Sequence, residues 1–263
     1  MIIRLLAFLL LINSSHAAEF SQSHVLGFSE DGQYFAWEEY GYQDGSGTPY
    51  LTLHVLDVAN DSFAKGFPKR LKAGEEEAIA LEREAQKNKS VTISVFYQQY
   101  MERLRSDFRT QHANALSTYG PFLTAPASAQ NSPFERSAET NFMAFNIFGF
   151  NPVLRAGKDA QGFELRLEEF ALAAPHCKEF NPDSKGFSIG WMDTKTNRVD
   201  LIANDTRIPK SRGCPKRYAL EAAHIHINRD DTASLAVLVR YTTLGFEGDD
   251  GRLLAVTARL PIR

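Results

Sequence analysis

The chain has 263 residues, 43% of them hydrophobic and 23% charged, with 29 basic residues against 32 acidic ones. These proportions exclude a disordered, collagen-like or low-complexity chain, and a formal charge of -3 offers no bulk basic field for nucleic acid. Two cysteines are too few for a disulfide-dense miniprotein or a four-cysteine zinc module, while the length is ample for a sizeable core.

The first element is an address. Arg4 precedes an apolar run from Leu5 to Ile12, followed by small residues at alternate positions, Ser15 and Ala17. This pattern predicts a secretory signal peptide over 1–17, whose apolar part is far shorter than the roughly 20 residues that span a bilayer. Cleavage after Ala17 leaves 246 residues, 18–263, read as a single β-rich domain. No later segment is long and apolar enough to cross a membrane, so the expected product is soluble and periplasmic or secreted.

Residues 24–57 predict a three-strand meander. Asp31-Gly32 supplies a turn, the aromatic stretch Tyr34–Tyr40 suits a strand, and Leu51, Leu53 and Val55 alternate with Thr52 and His54. Residues 71–115 have a helical texture. Acids at Glu75–Glu77 and lysines at 87 and 89 match a helix dipole, and Tyr97, Tyr100, Met101, Leu104 and Phe108 form one apolar stripe. Arg103, Arg105 and Arg109 fall largely off that stripe, which reads as core-facing. Segment 117–137, rich in Pro, Ala, Ser and Gln, predicts a surface loop.

Strands return at 163–167, 187–192, 199–203, 218–227, 235–241 and 253–260, separated by polar turns. Nine or ten strands with one helical insertion predict a mainly β fold, an antiparallel sandwich or partly closed barrel built from hairpins. The hairpin string Phe28-Ser-Glu-Asp-Gly32 has an echo in Ile227-Asn-Arg-Asp-Asp231. Such strings occur in propeller blades, but a propeller needs about sixteen strands, more than this chain offers.

Export governs the reading of Cys177 and Cys214. Outside a reducing cytosol two thiols of one chain pair, and the bridge would close a loop of about 38 residues, worth about 4 kcal/mol in the chain-entropy model. The alternative is a catalytic thiolate served by the adjoining His176 or by Arg212. Adjacent side chains of an extended segment point apart, which disfavours that dyad.

Catalytic motifs are missing or broken. Gly27-Phe-Ser-Glu-Asp-Gly32 is one residue too long for a nucleophile elbow, and Gly45-Ser-Gly47 lacks the third glycine of a dinucleotide loop. His224 and His226 share one face of a strand and could ligate a metal with a third ligand such as His54, Asp230 or Asp231. Surface or hydrogen-bonded histidines are the plainer reading, and no cofactor is expected.

Several strings occur together in order: Gly27–Ala36, Glu38–Gly47 with Pro49-Tyr50, Asp205–Pro209, Ser211–Pro215 with Tyr218, and Gly245–Gly248 before Ala255–Thr257. Over roughly 25–57 and 162–260 they resemble a bacterial family of predicted secreted proteins known only as a domain of unknown function. The helical region between looks longer and more aromatic than that family would lead one to expect. The resemblance implies export and a shared fold, and it supplies no activity, cofactor or catalytic residue.

The same strings hold two polar groups of interest. Glu38, Glu39, Gln43 and Asp44 adjoin a glycine-rich loop, and Asp205, Arg207, Ser211 and Arg212 adjoin the expected disulfide. One account makes them loop-holding ion pairs, the other a recognition surface on fixed loops. The sequence therefore favours an exported binding or interaction module without catalysis, with an envelope protein or small ligand as partner. The alternatives are an envelope hydrolase or metal-dependent enzyme using His224, His226 and nearby acids, and a structural docking component using the helical insertion.

Overall fold

The computed structural model describes residues 19–43, 45–87, 91–123, 127–130, 142–146, 162–179, 181, 183–193, 196–245 and 248–261. The expected signal peptide and the end of the 117–137 segment lie outside the described residues.

The N-terminal sheet contains the meander β1 (Gln22–Ser29), β2 (Tyr34–Tyr42) and β3 (Pro49–Asp57), paired antiparallel throughout. Short strands β4 (Ser62–Phe63) and β5 (Lys69–Lys72) both pair with β3. Helices α1 (Glu75–Lys87), α2 (Ile93–Gln111) and α3 (Ala113–Ser117) follow. Thr92 caps α2 by accepting the Val95 N–H. The expected stripe faces inward: Met101 and Phe108 are buried, and Phe108 packs with Leu116 and Tyr119 on the outer face of the sheet.

The expected loop at 117–137 is corrected by two short strands. β6 (Phe122–Leu123) pairs with the end of β1, and β7 (Ala127–Gln130) pairs with β12 (Arg217–Ile227). Its Ala-Ser-Ala-Gln sequence has little strand propensity of its own, so the ladder of the neighbouring strand decides its conformation.

The remaining strands form two further antiparallel sheets. The central one runs β14-β13-β12-β7, with β13 at Thr232–Leu244 and β14 at Asp249–Pro261. The outer one runs β11-β10-β9-β8, from β8 (Phe142–Asn146), β9 (Gly162–Ala171), β10 (Lys185–Asp193) and β11 (Arg198–Asn204). β7 lies beside β8 and β11 beside β14, so these two sheets curl toward an eight-stranded barrel that hydrogen bonds among the described residues do not close.

Alternation along the central strands puts an apolar face on each side. Leu235, Val237 and Val239 pack with Leu165, Ile189 and Trp191 of the outer sheet. Ala236 and Leu238 pack instead with Phe28, Phe35 and Trp37 of the N-terminal sheet. The order of layers is helices, N-terminal sheet, central sheet, outer sheet, with three apolar seams between them.

Candidate functional site: a cleft between two hairpin turns

The two hairpin strings noticed in the sequence come together in space. In the β1–β2 turn the Gly32 N–H donates to the Ser29 carbonyl at 2.9 Å, and Gly32 takes a φ of +67°. Asp31 Oδ1 accepts from Ser29 Oγ at 2.7 Å and from the Gln33 N–H at 3.0 Å. In the β12–β13 turn the Asn228 N–H donates to the Thr232 carbonyl at 2.8 Å, with the positive φ, +57°, at Asp231.

Buried polar contacts lock one turn to the other. Ser234 Oγ donates to the Gly32 carbonyl at 2.6 Å, and Asn228 Nδ2 donates to Ser234 Oγ at 3.0 Å. A Cβ at Gly32 would lie 2.0 Å from Asn228 Oδ1, so both the approach and the positive φ demand glycine.

A cleft of about 550 Å3 opens between these turns and the Thr118–Pro121 connection. Tyr34 and Tyr119 meet edge to face at 4.7 Å along it, and Tyr119 is held by donating its hydroxyl to the Lys65 carbonyl at 2.9 Å. Arg259 enters from β14, donating through Nη2 to Asp230 at 2.7 Å and through Nε to Thr232 Oγ1 at 3.1 Å. Arg229 and Glu30 pair at 3.1 Å on the rim.

The two aspartates are tuned alike. The Thr232 hydroxyl, at 2.5 Å, and then Arg259 hold the Asp230 carboxyl below its ordinary value. At Asp31 partial burial works against ionisation, but the hydrogen bonds from Ser29 and Gln33 outweigh it and the net shift is also downward.

His224 and His226 lie behind the cleft, facing the aromatic side of the N-terminal sheet. The His224 ring sits 5.9 Å from Phe35, and His226 5.7 Å from Phe28. Burial pushes His224 down to about 4, and among the described residues its Nε2 has no hydrogen-bond partner; burial also lowers His226. His54 is elsewhere in the seam, stacked on Trp37 at 4.2 Å. Among the described residues, one set of three His, Cys, Asp or Glu side chains has its ligand atoms within 4.8 Å of one another: His176, Cys177 and Cys214. Its two thiols are joined, Cys177 to Cys214, with Cα atoms 5.4 Å apart, so they offer no thiolate.

Glu38 and Glu39 are interior strand residues of β2 rather than loop groups. Glu38 is fully buried and accepts from Arg105 Nε at 2.8 Å and Arg109 Nη1 at 3.0 Å, which clamps α2 to the sheet. Arg105, read from the helical stripe as an off-core residue, is therefore buried, because a carboxylate waits for it across the interface. Glu39 accepts the Leu253 N–H at 3.0 Å, and burial raises its pKa. Gln43 starts a turn in which its carbonyl accepts the Gly47 N–H at 2.9 Å; Asp44 lies outside the described residues.

Beside the disulfide, Arg212 donates to Asp205 at 2.5 Å and to the Tyr218 hydroxyl at 3.2 Å, with its guanidinium 5.3 Å from the Phe187 ring. That pair is turned inward to hold the loop, whereas Arg207 and Ser211 are exposed. A second cavity, about 480 Å3, lies between β2 and α2, with Tyr40, Tyr42 and Tyr97 on its walls.

Sequence reasoning missed Tyr34, Tyr119 and Arg259 as site residues. The available signal was the likeness of the two hairpins; nothing local tells that Tyr119 and Arg259 converge on them.

Fold and cleft together define an antiparallel β protein with a preorganised polar cleft at one end of its sheets. Over residues 36–259 the chain matches the model of a family described as "predicted secreted protein (DUF2259)", and it belongs to that family. It is accordingly a member of a predicted secreted family, and among its described residues no helix is long and apolar enough to cross a membrane. No curated protein and no solved structure matches it significantly.

Proposed function

We propose that the protein is an exported binding module that takes a small polar ligand in the cleft between its two hairpin turns and performs no chemistry on it. The observation that carries this reading is the locking of the turns through Ser234, Gly32 and Asn228, which fixes cleft groups from two different sheets before any ligand arrives. Preorganisation of this kind lowers the ordering cost of binding. The tuning of Asp31 and Asp230 points the same way. Both are ionised at neutral pH, so this carboxylate pair lacks the proton that acid catalysis draws on.

A thermal-shift screen of the exported chain against small polar metabolites tests the proposal. A hit should raise the melting temperature of the wild type, leave the Arg259→Ala variant unmoved, and be recovered chemically unchanged by mass spectrometry. Turnover of the hit, or a shift that persists without Arg259, would refute it.

A further inference from the structure

We infer that the ligand of this cleft is a neutral saccharide bearing neighbouring hydroxyl groups. The inference rests on the binding reading above and adds the chemical class. Three carboxylates (Glu30, Asp31, Asp230) and two guanidiniums (Arg229, Arg259) line the cleft. An anion entering it meets the carboxylates, and a cation meets the guanidiniums. Neither gains from the field as a whole, because the charges are interleaved rather than segregated.

A hydroxyl group is different, since it donates and accepts at once. A pair of neighbouring hydroxyls can donate to a carboxylate oxygen and accept from a guanidinium N–H in the same pose. The atoms for this are at hand. Arg259 spends Nε on Thr232 and Nη2 on Asp230, and among the described residues its Nη1 makes no hydrogen bond. The hydrogen bonds that Ser29 and Gln33 make to Asp31 both end on Oδ1, and among the described residues no other side chain occupies Oδ2, which is left as an acceptor. The exposed Gln33 amide adds a further donor and acceptor at the same rim.

Pyranose rings also carry an apolar C–H face, and the cleft has a partner for it. Tyr34 and Tyr119 are half-buried and brace one another, so they offer aromatic surface at little entropic cost. A volume of about 550 Å3 lies within the usual range for small-ligand sites. Open at the rim, the cleft would admit the end of a longer glycan as readily as a free sugar.

The experiment is saturation-transfer NMR and calorimetry with glucose, galactose, mannose, N-acetylglucosamine, maltose, cellobiose and lactose. Glucose 6-phosphate, glucosamine and a set of neutral dipeptides serve as charged and non-sugar probes. At least one neutral sugar should bind, about tenfold more weakly or worse to Arg259→Ala, as expected for loss of a charge-assisted hydrogen bond. Gln33→Ala, on an exposed turn, should weaken it too, with both variants melting as the wild type does. Silence from every neutral sugar, or much tighter binding of the phosphorylated or amino sugar, would overturn the ligand class. Dipeptide binding that Arg259→Ala abolishes would then show the cleft to be a site for something else. Sugar binding that both variants leave untouched would instead remove the cleft as the site.

Discussion

The central sheet has two faces that solve the same packing problem differently. Toward the outer sheet it presents Leu220, Ile225, Leu235, Val237 and Val239, an aliphatic surface that any well-fitted apolar partner could cover. Toward the N-terminal sheet, Ala236 and Leu238 share the space with buried Ser234, Glu221, Arg240 and Thr257. Aliphatic contacts are non-directional, whereas hydrogen bonds and ion pairs are satisfied in one arrangement only. The apolar seam therefore supplies burial, and the polar seam fixes how the N-terminal sheet sits. That placement matters because the cleft is assembled across the polar seam.

The largest break in this contrast should come from Glu221. It is the extra residue of a β-bulge in β12, which turns its carboxylate onto Arg240 in a bidentate pair at 2.7 and 2.9 Å, both side chains buried. Glu221→Leu strands a buried guanidinium and should cost about 3–5 kcal/mol by urea denaturation. Adding Arg240→Met should recover most of it, since replacing both charges by apolar groups is far less harmful than removing one. A double variant no more stable than the single would show that the bulge, not the pairing, is at fault.

On the apolar face, Leu235→Ala should cost about 3 kcal/mol, from lost burial and the cavity left behind. Here no second substitution of opposite polarity should rescue it. Calorimetry of the variant is the check, and a loss below about 1 kcal/mol would mean that the seam collapses to fill the space.

Acid should separate the two faces, because the buried histidines lie on the polar one. His224 is held neutral by burial, with its pKa at about 4 against an ordinary 6.5. Between those values the unfolded chain binds a proton that the folded chain refuses, so stability is full above pH 6.5 and falls as the pH drops toward 4. The loss from His224 alone is roughly 1 kcal/mol by pH 5.5 and grows below it. His54, at about 3, acts in the same direction; Glu39, whose pKa is raised by burial, acts in the opposite one. Denaturation of His224→Phe at pH 7 and pH 5.5 isolates the effect, and equal pH dependence in variant and wild type would contradict it.

The legibility of the molecule follows the same division. Features set by local periodicity were readable, namely the meander, the helical stripe and the strands of the second half; the pairing of Cys177 with Cys214 was readable from export instead. The short strand β7 was not, because an Ala-Ser-Ala-Gln segment becomes a strand only when β12 lends it a ladder. Arg105 was misjudged for a related reason: a helix's own stripe says nothing about a carboxylate 67 residues away on β2. Spacing did hold a clue, since Arg105 and Arg109 stand four apart on one helix side. At the cleft, the turn chemistry of Asp31-Gly32 and Asn228–Asp231 was visible, and their docking was not. One turn belongs to each of two sheets, and sheet packing is set by the sum of many distant contacts rather than by any string.

The smallest expected effect on stability is the one that bears most directly on function. Ser234→Ala removes a hydroxyl that donates to Gly32 and accepts from Asn228, at 2.6 and 3.0 Å. Asn228 Nδ2 keeps its bond to Thr232 Oγ1 at 2.8 Å, so the cost should stay near 1 kcal/mol, visible as a modest drop in melting temperature. The Gly32 carbonyl, however, loses a partner that holds the first turn against the second. If the cleft depends on the turns being fixed before binding, this variant should bind its ligand several-fold more weakly although Ser234 lies outside the cleft lining. Hydrogen exchange should show the Gly32 and Gln33 amides opening faster while those of β13 stay protected, because the ladder of the central sheet is untouched. Unchanged affinity together with faster exchange would mean that the turns can move apart without harm to the cleft, and that the polar seam serves only the fold.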